Sequence, residues 1–172
     1  MKRTIFYVVA IGAINGFFMG CNSDNSIDCP TDYTGVLAEN EKKLTGEWVL
    51  SAITADKEID LTDDDEDNPE KDIYAQYSEC ERDGAYNFSA DRKYAFDQGQ
   101  NATDCMNKAS SEGTWKLTAK TLSLVGICNI QNIDIDFDEE DSAFSFSDDF
   151  NVRDVDGTTV LTKITFTYST TP

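Results

Sequence analysis

From Leu44 to Tyr168 the chain keeps returning to one pattern, an apolar side chain followed by a polar one, in short runs separated by turn-forming residues. Successive side chains of a strand point to opposite faces, so this rhythm builds sheets with one dry face and is incompatible with the 3.6-residue period of a helix. "NIDIDF" is the plainest case: Ile133, Ile135 and Phe137 alternate with Asp134 and Asp136. The pattern predicts strands near 46–54, 84–90, 94–99, 112–118, 121–126, 129–137, 143–152 and 158–168. Turns are expected at Thr118–Lys120, at the "DEED" tip Asp138–Asp141 and at Asp156-Gly157. Strands in sequence, joined by short turns without helical crossovers, make an antiparallel up-and-down meander. About eight of them suit a small or flattened barrel.

The barrel is expected over residues 44–169. Ahead of it, residues 21–43 read as a tether with a short helical turn around "LAENEKKL", and residues 1–20 as a signal peptide. Lys2 and Arg3 precede the apolar run "TIFYVVAIGAINGFFMG", which ends in Gly20-Cys21 and is too short for a stable membrane span. A signal ending in Gly-Cys resembles that of bacterial lipoproteins, which implies that Cys21 is acylated and becomes the new N-terminus. Phe18, where Leu is commoner, and the polar Asn15 depart from the usual form.

Four further cysteines, Cys29, Cys80, Cys105 and Cys128, form an even set in an exported chain, which favours disulfides. In the hairpin around Ala90, a three-residue loop at 91–93 would set Phe88 opposite Phe96 and Ala90 opposite Tyr94. Extending that ladder brings Cys80 opposite Asp104, one step from Cys105, and so predicts a Cys80–Cys105 bridge. Cys29–Cys128 follows by elimination.

Gly-x-Trp-x-Leu occurs twice, as Gly46-Glu47-Trp48-Val49-Leu50 and Gly113-Thr114-Trp115-Lys116-Leu117, and holds both tryptophans. A glycine ahead of a strand aromatic lets the chain bend or lets a neighbour approach bare backbone. The arrangement resembles the lipocalins, where Gly-x-Trp opens the first strand and the indole closes the barrel floor. The resemblance implies a basic side chain covering an indole; Lys163 is the first candidate and Arg153 the second. The chain is more similar still to the lipocalin-like lipoproteins of Bacteroidetes. The matching residues are Leu44, Gly46, Trp48 and Leu50; Cys80; Phe88, Ala90, Asp91, Tyr94 and Phe96; Cys105; and Gly113, Trp115, Leu117, Leu122 and Leu124. The match covers roughly 44–126. It departs at Arg92, where the family's turn carries glycine. A side chain there makes a left-handed turn less comfortable, so a different loop is expected.

Composition excludes several functions. With 33 acidic against 14 basic residues the formal charge is −19, and loss of Lys2 and Arg3 deepens it. Such a surface repels phosphates, so nucleic acid is not a partner. The chain has no histidine, and no Cys-x-x-Cys, so zinc and haem are unsupported and no cofactor is expected. The acidic run Asp60–Asp72 lacks the glycine and the glutamate of an EF-hand and reads as a solvated loop, so no metal is expected. The missing imidazole also removes the usual general base, and an enzyme is not expected.

The resemblance implies instead an outer-membrane lipoprotein, on the periplasmic or the cell-surface face, held by acyl chains on Cys21. It would bind a small apolar or amphipathic ligand in its barrel. The alternative is a filled barrel serving as a structural or protein-interaction module of the envelope. Asp141-Ser142-Ala143 matches a pattern recognised by Bacteroidetes O-glycosylation, which makes Ser142 a candidate acceptor.

Overall fold

A computed structural model describes residues 28–170 of the chain; the expected signal peptide and Cys21 lie outside this range. The elements, in order, are α1 (Glu39–Lys42), β1 (Gly46–Ile59), β2 (Glu70–Asp72), α2 (Ile73–Gln76), α3 (Glu79–Arg82), β3 (Ala85–Phe88), β4 (Lys93–Gln98), β5 (Ala109–Thr118), β6 (Thr121–Gly126), β7 (Asn129–Asp134), β8 (Asp136–Phe137), β9 (Ala143–Arg153) and β10 (Thr159–Thr170). All strand pairs are antiparallel, and the order β7-β6-β5-β4-β3-β1-β10-β9-β8 is a meander bent round until its ends nearly meet. Only Ile135 separates β7 from β8, so one segment pairs with β6 through its first half and with β9 through its second. Counting that segment once, and β2 as an appendage of β1, the wall has the eight expected staves.

The barrel has two unlike ends. At the floor β1 begins, β10 finishes, α1 packs, and the turns at 89–92, 119–120 and 138–142 gather. At the mouth lie the loops 60–69 and 99–108, the turns 127–128 and 154–158, and α2 and α3. β7 and β8 meet β9 only near the floor, where Phe137 pairs with Phe144 and Asp136 with Ser145. Toward the mouth a seam stays open between β7 and β9. Register puts Gln131 on the face of Leu124, and Asp148 on the face of Ile164, yet both are exposed because nothing covers the gap.

The inward faces follow the alternation with one interruption. Trp48 and Leu50 point in, and so do Ile53 and Ala55, which have the opposite parity. Leu50 pairs with Tyr168 and Ala52 with Thr167, so Ser51 is an extra residue, a β-bulge that resets the phase.

Several expectations need correction. Phe88 pairs with Tyr94 and Tyr86 with Phe96, so the hairpin is displaced by two residues from the expected register. The loop does hold three residues, but they are Ala90–Arg92, closed by Ser89 N–H donating to the Lys93 carbonyl at 2.8 Å. Arg92 takes the left-handed position at φ 70°, so the turn forms with a side chain at the position where the resemblance implies glycine. The ladder ends at Ala85–Asp97, and Cys80 lies on α3. The Cys80–Cys105 bridge is nonetheless present, as is Cys29–Cys128; the first pairing was right, but its ladder argument was not. The acidic run is also more than a solvated loop. Asp60, 1% exposed, accepts from Thr62 N–H, Thr62 Oγ1 and Asn68 N–H and pins the loop's base.

The segment ahead of α1 is bound to the wall. It starts at the mouth, where Cys29 bridges to Cys128 in the β6–β7 turn. It then crosses the outside of β5, where Tyr33 N–H donates to Thr114 Oγ1 at 2.9 Å, and reaches the floor at Gly35 and Val36, whose carbonyls accept from Arg92. Val125 is buried although it faces outward beside Thr114, under this path.

Candidate functional site

The two glycines that lead the tryptophans do different jobs. Gly46 has φ 127°, and a β-carbon there would meet nothing within 4 Å, so backbone conformation alone demands glycine. Gly113 has an ordinary φ, but a β-carbon would overlap the Val125 carbonyl and press on the Tyr94 ring. The first glycine bends the chain into the barrel; the second lets two strands come close.

Both indoles are sealed in the floor at 0% exposure, beside Phe88 and Phe144 at 1%. Trp48 Nε1–H donates to the Leu44 carbonyl at 2.8 Å, and Trp115 Nε1–H to the Ser89 carbonyl at 3.1 Å. The rings interlock: Trp48 lies 5.1 Å from Phe144, and Trp115 5.4 Å from Phe88. This favours the edge and tilted geometries that aromatic quadrupoles prefer.

Beneath the indoles an ion pair closes the barrel. Arg92 Nη1 and Nη2 donate to Glu41 Oε1 and Oε2 at 2.9 and 2.7 Å, a two-pronged pair with side chains 7% and 2% exposed. The other donors of the fork reach the carbonyls of Gly35, Val36 and Trp115, so all five N–H groups are used. Glu41 also accepts the N–H groups of Ala38 and Leu117. Hydrogen bonding to Arg92, opposed by burial and helped by those amides, holds the Glu41 carboxyl down at about 2. The pair thus ties α1 and the N-terminal segment to β5 and to the β3–β4 turn.

Above the floor the inward side chains follow in tiers. Leu50 and Tyr168 come first, then Ile53, Phe146 and Phe166, then Ile164, Thr162 and Phe150, with the paired Tyr86 and Phe96 on β3 and β4. Tyr86 stands 4.7 Å from Phe96 and 5.1 Å from Tyr168, and Phe146 stacks on Phe166 at 5.3 Å. Among the rings, Trp48, Trp115, Phe88 and Phe144 are sealed, whereas Phe96, Phe146, Phe150 and Phe166 are only half-buried; the aliphatic Ile59 and Ile164 toward the mouth are buried. Polar character comes mainly from tyrosine hydroxyls. Burial, with the neighbouring Tyr94, pushes Tyr86 up to about 12, and burial with the neighbouring Tyr86 likewise raises Tyr168.

The mouth's other feature is an open cleft of about 380 Å³ between Asp60, Asp65, Glu66, Asp67, Asp154 and Asp156, with Pro69 and Val155. Among the described residues no group of side chains is arranged to hold a metal ion.

Over residues 22–171 the chain matches the family model described as Domain of unknown function (DUF5004). The chain belongs to this family. The match takes in the wall-bound segment as well as the barrel, in keeping with the contacts that join them. No curated protein and no solved structure matches the chain.

Of the expected site residues, Gly46, Trp48, Gly113 and Trp115 come together at the floor, and the four bridging cysteines pair as expected. Cys21 lies outside the described residues. Ser142 sits exposed in the floor turn, its Oγ donating to Asp138 Oδ2 at 2.7 Å. Lys163 and Arg153 do not cover an indole: Trp48 is level with Thr170, while Lys163 is seven residues along β10 and Arg153 is level with Thr159, near the mouth. Other basic groups do reach the floor rings: Arg92 packs beneath them, and Lys43 Nζ lies 3.9 Å over the Phe137 ring beside Trp48. Sequence reasoning missed Glu41 altogether. The available signal was Arg92 itself, an arginine where the turn calls for glycine.

Proposed function

We propose that this chain is a lipid-anchored, lipocalin-like envelope protein of the outer membrane. It is non-enzymatic and takes up a small apolar or amphipathic molecule in its lumen. One observation carries the ligand reading: the aromatic lining is sealed at the floor and left half-covered toward the mouth and the open seam. The partly buried Phe96, Phe146, Phe150 and Phe166 would offer apolar contact to an entering molecule, while the ion-paired floor gives it a stop. The Gly-Cys junction after a short apolar run supports the anchor at Cys21. Exposure of Ser142 supports its role as an O-glycan acceptor, which intact-mass comparison with Ser142→Ala would test.

Native mass spectrometry of the soluble part, purified from its own host, tests the lumen. The expected result is a reproducible added small-molecule mass, lost in Phe150→Asp but retained when Thr165 on the outer face is changed to Asp. Clean apoprotein with a co-purifying polypeptide would refute it and favour a filled barrel that serves protein interaction. For the anchor, Cys21→Ala should move the protein from membrane to soluble fractions; continued membrane association would refute acylation.

A further inference from the structure

Large apolar side chains almost fully open to water are costly, and at the mouth two of them sit on neighbouring loop tips. Met106, in the loop between β4 and β5, is 95% exposed, and Ile127, in the β6–β7 turn, is 98% exposed. Only β5 and β6 separate these tips along the rim. Each adjoins a bridged cysteine, Met106 following Cys105 and Ile127 preceding Cys128. The tips are therefore held out on pinned backbone rather than folded back onto the wall.

A second, independent observation concerns where the chain leaves. The Cys29–Cys128 bridge fixes the N-terminal exit at the β6–β7 turn, next to Ile127. Cys21 is eight residues ahead of Cys29 and can reach no more than about 28 Å from it. The 12 residues of β10 span roughly 40 Å, or about 30 Å of axis at the usual barrel tilt. A leash from the mouth would be used up entirely in bringing the floor to the bilayer.

Charge separates the two sides of the mouth. The cleft carboxylates of the 60–69 loop and the 154–158 turn, joined by Val155 N–H donating to the Asp60 carbonyl, lie across the opening from the two tips. Beside the tips stand Asp28, Asp104 and Lys108, and α3, bridged to Cys105 through Cys80, adds Glu79, Glu81 and Arg82 with Asp83 after it, a side less acidic than the six carboxylates of the cleft.

We propose that the rim arc tipped by Met106 and Ile127 rests in the interface of the bilayer that holds the anchor, with the acidic arc tilted away. This rests on the reading that Cys21 is acylated. Two side chains would not bind a membrane alone; beside a covalent anchor they need only choose which end faces down. The lumen then opens against the lipid surface.

The test adds one tryptophan to the lipidated full chain, as Met106→Trp, Ile127→Trp or, at the exposed floor residue Val36, Val36→Trp. Each protein is reconstituted into phosphatidylcholine vesicles with plain or brominated acyl chains, which quench indoles at short range. Interfacial side chains lie about 5–10 Å deep, so Met106→Trp and Ile127→Trp should lose roughly a third of their emission, the share of the added indole. Val36→Trp and the unsubstituted protein, whose two indoles are sealed in the floor, should lose almost none. Acylated, vesicle-bound protein in which the mouth indoles are unquenched, or Val36→Trp is quenched instead, overturns the orientation while leaving the anchor intact. Absence of the acyl mass on Cys21 overturns both.

Discussion

Replacing Arg92 with glycine would give the β3–β4 turn the residue its backbone favours, and we expect it to destabilise the protein. At φ 70° an L-residue costs about 1–2 kcal/mol, which glycine relieves, while the looser unfolded chain takes back about 0.5–1 kcal/mol. Against that near-balance stands the loss of one partner of a pair with 7% and 2% exposed side chains. Leaving a charge buried and unpaired costs about 3–5 kcal/mol, so Arg92→Gly should be about 2–4 kcal/mol less stable at pH 7. The sign with pH follows from Glu41. Its folded value, about 2, lies below the ordinary 4.5, so its contribution is fully present above about 4.5 and is lost as pH falls through 2. The difference corresponds to roughly 3 kcal/mol. The gap between the parent and Arg92→Gly should therefore be widest at pH 6–7 and close on acidification. The double variant Glu41→Gln/Arg92→Gly, with no buried charge, should recover much of the loss at pH 6–7, and its remaining gap should narrow on acidification because only the parent loses the Glu41 contribution. Urea unfolding of the oxidised proteins at several pH values reads all three. An Arg92→Gly protein as stable as its parent at neutral pH, or a gap unchanged down to pH 3, would refute the ion-pair floor.

The paired glycines should separate by mechanism: Gly46→Ala costs about 1–3 kcal/mol through backbone strain alone, whereas Gly113→Ala forces β5 from β6 and costs more, both read by denaturant midpoint. Removing the Cys80–Cys105 bridge as Cys80→Ser/Cys105→Ser opens a 25-residue separation and should lower stability by about 3.5 kcal/mol, seen as a fall in Tm of roughly 10 °C. A bridge-free protein melting with its parent would dismiss that clamp. Tyr86 and Tyr168 should stay protonated past pH 10 in the folded state. Their raised values mean that stability present below 10 is lost as pH rises toward 12, so tyrosinate absorbance near 295 nm should climb together with unfolding. Full ionisation of all tyrosines while the barrel remains folded would contradict this.

The alternation in the sequence was enough to place the eight staves, because inside-outside periodicity is a local property that each strand carries separately. It could not place the β3–β4 register. Sliding a hairpin by two residues returns every side chain to the same face, so Phe88 opposite Phe96 and Phe88 opposite Tyr94 satisfy the pattern equally. The bulge at Ser51 was hidden for a related reason, since "VLSAIT" gives no sign of which position drops out of phase. Glu41 was invisible because a glutamate in "ENEKK" looks like any solvated helix residue until a partner 51 residues away claims it. Arg92 was legible as an anomaly, but its meaning required knowing what lay opposite. The short helices α2 and α3 are single turns set by local caps, such as Asp72 accepting from Ala75 N–H, and carry no period to detect.

The open seam has a cost that a fully closed barrel would avoid. Along β9 beyond Ser145, and along β7, backbone donors and acceptors face outward with no strand opposite, a template on which another molecule could zip. Under the proposed lipid anchor, copies would share one plane, and meetings between such borders would be frequent. Asp148 and Asp149 stand on one border and Asp134 on the other. Two molecules meeting edge to edge would bring these like charges together, which opposes pairing of one border with another.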